Sequence, residues 1–180
     1  MDCNNFYVSA ERVFNPKLDG RPGVVLFNND GCAVARSLEA KALGIKMGKT
    51  RFQLKPLVKR HGLIGLSSNC TLYGDMSARF TQVLRLFTLD VEVYSIDESF
   101  LCIERLGLLW PSWSVMGQAI RHQVRQWTGI PVCVGIGPTK TLVKLANHSA
   151  DKNARFGGVF DMTTYRESEL AFLLSTIDAG

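Results

Sequence analysis

Tyr94-Ser95-Ile96-Asp97-Glu98-Ser99-Phe100 sets two adjacent carboxylates among apolar, strand-forming residues. Like charges withdrawn from water repel one another and lose hydration, so such a pair calls for a compensating cation. The flanking runs, Val91 to Ile96 and Ser99 to Ile103, read as two strands. Neighbouring side chains on a regular strand point to opposite faces, so both acids reach one region only if the backbone turns. A hairpin tip or bulge is therefore expected at 97–98. A third carboxylate, Asp2, opens the chain within Asp2-Cys3-Asn4-Asn5-Phe6-Tyr7. Three oxygen donors suit two-metal phosphoryl transfer, in which the ions sit about 3.5–4 Å apart. Spacing alone leaves open a solvated turn at Asp97-Glu98 and a helix cap at Asp2.

Outward from the hairpin, Leu72, Met76, Phe80, Val83, Leu84 and Phe87 recur at helical spacing and predict an amphipathic helix over 71–87. Met116 to Trp127 predicts another, and Gly129-Ile130-Pro131 turns the chain into a buried strand, Val132 to Ile136. Gly137-Pro138-Thr139 starts a helix through about Asn147, with Pro138 suited to its first turn. A strand over 158–161 and a helix over 167–174 follow. Toward the amino end, the pattern gives a helix over 4–14 capped by Asn4 or Asn5, a strand Val24 to Phe27, and a turn at Asn28-Asn29-Asp30-Gly31. Helices over 36–43 and 52–60 and a strand over 63–66 complete the set. With the basic middle part set aside, the alternation implies an α+β fold of ferredoxin-like type, an antiparallel sheet with helices packed on one face. In that topology the first strand can lie beside the hairpin, which would bring Asp2 to Asp97 and Glu98.

Composition narrows the alternatives. The 180 residues are 46% apolar, and the longest uncharged apolar stretches, such as Leu106 to Trp110, are far too short to cross a bilayer. No membrane association is expected. Five cysteines, Cys3, Cys32, Cys70, Cys102 and Cys133, form no C-x-x-C pair, which favours reduced core residues and a cytoplasmic setting over a disulfide frame or a zinc site. The net charge is +5, yet Lys41, Lys46, Lys49, Arg51, Lys55, Lys59 and Arg60 carry +7 with no intervening acid, leaving −2 for the rest. Such a one-sign stretch fits a phosphate footprint, or a merely solvated face. Gly135 to Thr141 superficially suggests a phosphate loop, but Lys140 stands where either glycine fingerprint needs glycine. The three histidines lack metal-ligand spacing, and Ser67 and Ser68 lack a nucleophile context.

These segments resemble one family, the Y-family or translesion DNA polymerases, in its bacterial UmuC branch (ImpB/MucB/SamB). The resemblance is carried by Asp2 to Tyr7, Asn28 to Cys32, Ala35 to Ser37 with Glu39 to Gly48, Ser68-Asn69, Leu72 to Ser77, Val93 to Phe100 and Val134 to Leu142, in family order. It implies that Asp2, Asp97 and Glu98 are catalytic and hold two Mg²⁺ ions, with the Cys3 backbone carbonyl assisting. It implies nucleotide binding by Asn5 and Phe6 through their amides, by Tyr7 as the ring that rejects a ribose 2′-hydroxyl, and by Lys41 and Lys152 as partners of the triphosphate. The family often has Arg at the Lys41 position, so the clamp here would be a point charge rather than a fork.

The resemblance assigns 1–29 and 71–161 to a palm, 30–70 to small basic fingers, and 162–180 to the start of a connection to a missing thumb. The implied reaction is error-prone, SOS-type DNA-directed synthesis from deoxynucleotides on primer–template DNA, with UmuD-type subunits and a recombinase filament as partners. Family members place several apolar residues ahead of the first Asp, where this chain has only Met1, and they continue into a thumb and little finger. The chain is expected to be truncated at both ends and inactive alone. A non-catalytic UmuC-like fragment or interaction module is the first alternative. A palm-type nucleotide cyclase is the second, disfavoured because no Gly-Gly-Asp/Glu-Glu-Phe hairpin occurs.

Overall fold

The computed structural model describes residues 1–28 and 31–175. The expected turn at Asn28 to Gly31 thus lies partly outside the described residues, and the last part of the 162–180 connection lies wholly outside them. In chain order the elements are β1 Asp2–Cys3, α1 Phe6–Phe14, β2 Gly23–Leu26, β3 Ala33–Arg36, α2 Leu38–Ala42, α3 Arg51–His61, β4 Ile64–Ser67, α4 Cys70–Leu84, β5 Val91–Val93, β6 Ser99–Leu101, α5 Trp113–Thr128, β7 Val132–Ile136, α6 Lys140–Lys152, β8 Val159–Asp161 and α7 Glu167–Ser175. Contacts divide the chain into two compact units. One contains Met1–Asn4, Arg79–Trp127 and the chain from Pro131; the other contains Asn5–Ala78 and Thr128–Ile130. The division falls elsewhere than the sequence boundaries at 29/30 and 70/71, because α1 packs its Val8 side against β2 and joins that unit; a Cβ on Gly23 would sit 3.6 Å from Val8.

In the first unit β1 runs antiparallel to β7, with Asp2 opposite Cys133 and Cys3 opposite Val132. Its other edge meets the β5–β6 hairpin, where Asp2 bridges Glu98, Cys3 N–H donates to the Asp97 carbonyl at 2.9 Å and Ser99 N–H to the Met1 carbonyl at 3.1 Å. The spatial order is thus β5, β6, β1, β7, β8. The sheet is not antiparallel throughout: β8 pairs parallel to β7, as a strand reached through a helical crossover can. Nor do the helices keep to one face. A Cβ on Gly135 would come within 2.4 Å of the α6 backbone at Val143, and one on Gly117 of α5 would come within 2.7 Å of Val159 and 3.5 Å of Ile136. Because Gly135 and Ile136 alternate along β7, α5 and α6 cover its opposite faces. This double cover is why all five residues of β7 are buried. β1 is two residues long, and a cavity of 670 Å³ is lined by Met1, Phe100, Leu101, Val134, Ile136 and Met116.

In the second unit β2 pairs antiparallel with β3 and parallel with β4. Val24, Leu26, Ala33, Ala40, Ile45, Leu54 and Leu63 form its buried cluster. The sequence reading placed no strand at 33–36; those residues pair as β3 because the helix starts later, at Leu38. Ser37 fixes that start, its Oγ accepting from Ala40 N at 3.1 Å and from Gly23 N at 3.0 Å. The expected asparagine cap of α1 takes another form. Asn5 occupies the cap position in a left-handed conformation, φ 51°, and makes no side-chain capping bond. α6 starts at Lys140, so Pro138 lies ahead of its cap rather than in its first turn, and Thr139 caps it, its Oγ1 accepting from Leu142 N at 3.3 Å. Of the cysteines expected in the core, Cys3 and Cys133 are buried, Cys32 is partly buried, and Cys70 and Cys102 are exposed.

Candidate active site

The hairpin turn that the acid pair demanded is present and has an identifiable tie. Tyr94 and Ser95 N–H both donate to the Glu98 carbonyl at 3.0 Å, while Ser95 Oγ accepts from Asp97 N at 3.3 Å and Glu98 N at 3.1 Å. The same hydroxyl donates to Asp97 Oδ1 at 2.7 Å. Asp97 therefore stands in the turn while Glu98 begins the return strand. Directly opposed residues of an antiparallel pair share a face, so Asp2 and Glu98 point to the same side as Cys133, the side covered by α6. Cys3 N–H bonds toward Asp97, and on a strand that turns its own carbonyl to the same edge.

The electrostatics fit this crowding. Burial first, and then the Asp97 carboxylate, push Asp2 up to about 7 from its ordinary 3.8, with Glu98 and Asp151 adding to the effect. Burial also raises the Cys3 thiol, so Cys3 would offer its carbonyl rather than a thiolate. Glu98 is answered by Lys144 of α6, whose Nζ lies 3.1 Å from Glu98 Oε2 and 4.0 Å from the Tyr94 ring centroid. That hydrogen bond raises the Lys144 amine above its ordinary value. Among the described residues no three His, Cys, Asp or Glu side chains are grouped to hold a metal ion. Glu98 is engaged with Lys144 and Asp97 with Ser95. The donors nevertheless fit a divalent cation in kind, being hard oxygens at a place where negative charge is under-compensated.

The remaining predicted residues fall in two places. Lys152 ends α6 in the first unit and pairs with Asp151 at 2.8 Å. Asn5, Phe6, Tyr7 and Lys41 belong to the second unit. There Tyr7 lies against Tyr73, ring centroids 4.4 Å apart, with Phe6 5.7 Å from Tyr7. Tyr73 is buried and its hydroxyl donates to Glu11 at 2.9 Å, and burial raises its pKa. The Tyr7 ring is thus seated against a fixed neighbour. Asn5 Oδ1 is buried without a hydrogen-bond partner, an orphaned acceptor at a left-handed residue. Lys41 is half-buried in α2, and Lys46, Arg51, Lys55, Lys59 and Arg60 are exposed.

Sequence reading missed Ser95, Lys144, Asp151 and Tyr73 as parts of these sites. Only Ser95 carried a local signal, as a hydroxyl placed two residues before an Asp at a turn.

The sequence profile of the impB/mucB/samB family matches residues 1–148. The chain is 42% identical over 180 residues to the protein ImpB of Salmonella typhimurium, covering 99% of this chain and 42% of that one. It is 45% identical over 179 residues to UmuC of Salmonella typhimurium, covering 98% and 42%, and 33% identical over 148 residues to DNA polymerase IV of Pelotomaculum thermopropionicum, covering 81% and 36%. Among solved structures it is similar to an insertion ternary complex of Dbh DNA polymerase, with TM-score 0.82, 24% identity and coverage of 99% and 51%. It is also similar to DinB from Sulfolobus solfataricus, with TM-score 0.79, 25% identity and coverage of 99% and 50%. The chain therefore spans about half or less of the length of the proteins it matches. Among the described residues no helix is long and apolar enough to cross a membrane.

Proposed function

Because the chain belongs to the impB/mucB/samB family, we propose that it carries the palm and fingers of a translesion DNA polymerase, which joins a deoxynucleotide to a primer 3′-hydroxyl and releases pyrophosphate. The observation that carries this reading is the cross-strand pairing of Asp2 with Glu98 beside Asp97. Asp2, Asp97, Glu98 and the Cys3 carbonyl would hold two Mg²⁺ ions. The chemistry those ions supply is a lower cost for ionising the attacking hydroxyl and for the charge on the departing phosphate. Asn5 and Phe6 would meet the triphosphate through backbone amides at the start of α1. Lys41 and Lys152 would neutralise its charge, and Lys152 would first have to leave Asp151. Tyr7, backed by Tyr73, would meet a ribose 2′-hydroxyl as a wall that does not yield. The basic residues of the 41–60 stretch would lie along DNA phosphates. UmuD-type subunits and a recombinase filament would be its partners, and the cytoplasm its setting.

Nucleotide binding tests the reading without requiring turnover. With Mn²⁺ present, the chain should bind dATP at least tenfold more tightly than ATP, Tyr7→Ala should erase that preference, and Asp97→Ala should abolish the metal dependence. Equal binding of dATP and ATP by the unaltered chain would sink the proposal.

A further inference from the structure

Among the described residues, Glu98 is the one of the three candidate metal-binding acids with a lysine partner, and that lysine has two places to rest. Lys144 Nζ is 3.1 Å from Glu98 Oε2 and 4.0 Å from the Tyr94 centroid, so carboxylate and ring together form a cradle for one ammonium. The Glu98 side chain is 17% exposed whereas Lys144 is 43% exposed, so the lysine can swing while the glutamate stays at the site. Asp97 is held separately, by the Ser95 hydroxyl at 2.7 Å.

We propose that Lys144 is a resident counter-ion of the metal site: it neutralises Glu98 while no divalent cation is bound and yields Glu98 when one arrives, remaining on the Tyr94 ring. The proposal rests on reading Asp2, Asp97 and Glu98 as metal ligands. Lys144 acts through Glu98, and is a positioning residue for the metal rather than a catalytic one. The physical reason is a contest between two cations for one carboxylate. A half-exposed ion pair is weak enough to be displaced, yet its positive charge repels an approaching dication over several ångströms. The lysine therefore keeps the empty site ordered and raises the cation concentration needed to fill it. A merely structural surface pair would leave metal affinity unchanged.

The test is Mn²⁺ affinity of the whole chain without nucleotide, read from the paramagnetic resonance signal of free Mn²⁺. Replacing the charge in Lys144→Met should tighten Mn²⁺ binding about fivefold or more, Lys144→Gln should do the same, and Lys144→Arg should stay within about twofold of the parent. Equal affinity in the parent and both neutral variants overturns the counter-ion role. Weaker binding in the neutral variants overturns it too, because the lysine would then support the ligands rather than compete for them. If neither the parent nor any variant binds Mn²⁺, the metal-site reading itself falls and this inference with it. Thermal melts in chelator confirm that each variant is folded before its affinity is compared.

Discussion

Asp2 and Glu98 come from distant parts of the chain and meet through a strand bridge, whereas Asn5, Phe6 and Tyr7 follow one another at the start of a single helix. The first arrangement exists only while the register of β1 against β6 and β7 holds, and it carries crowded negative charge. The second is apolar and made of chain neighbours, seated by ring packing against Tyr73 of α4. The acid site is thus electrostatically strained and dependent on long-range pairing, while the aromatic site is stabilised by what it buries. Changes that separate these two kinds of dependence test the contrast.

The largest effect is expected at Tyr73, which is 1% exposed. Tyr73→Ala should cost about 3–5 kcal/mol, as large-to-small aromatic changes in cores do, and it should loosen Tyr7 enough to erode discrimination between dATP and ATP. Mn²⁺ affinity should remain within about twofold of the parent, since the acids have their own ladder. A calorimetric melt paired with the Mn²⁺ titration checks both halves, and a large drop in metal affinity would break the separation.

Asp2 gives the opposite sign. Its folded pKa of about 7 lies above its ordinary 3.8, so the folded state holds a proton that the unfolded chain has already released. Between about pH 4 and 7 stability therefore falls as the pH climbs, and above 7 the full penalty is in place. Asp2→Asn should remove that slope and stabilise the metal-free protein at pH 8 by on the order of 2–4 kcal/mol. The same change should weaken Mn²⁺ binding at least tenfold. In the parent, Mn²⁺ affinity should rise with pH through about 7, as the Asp2 proton competes with the metal. Melts in chelator at pH 5 and pH 8 decide the matter; an Asp2→Asn protein less stable than the parent at pH 8 would contradict the electrostatic account.

How much of this was legible in the sequence follows the same contrast. Helical periodicity located α3 and α5 closely, and the five apolar residues of β7 fell where expected. The turn at Asp97-Glu98 was readable because two acids on a straight strand cannot serve one region. β3 was not readable: Ala-Val-Ala-Arg carries no alternation of its own, and it becomes a strand through pairing with β2 and the double use of the Ser37 hydroxyl. Helices on both faces of β7 agree with its unbroken apolar run, a signal that the one-faced ferredoxin-like reading left unused. Lys144 was invisible as a partner of Glu98, because their meeting depends on where α6 crosses the sheet.

The basic stretch of the other unit should respond least in stability and most in salt dependence. Lys55, Lys59 and Arg60 lie exposed along α3. Replacing all three with Gln should therefore move folding stability by no more than about 0.5 kcal/mol. If these residues lie along DNA phosphates, each lost contact should flatten the slope of log affinity against log salt by about 0.9. Fluorescence anisotropy on a duplex between about 50 and 200 mM salt reads that slope directly. The acids of the first unit carry the opposite charge, so Asp97→Asn should leave the slope unchanged or slightly steeper. A triple variant with the parent's slope would mean that the +7 stretch is a solvated face, and DNA contact would then have to come from residues outside it.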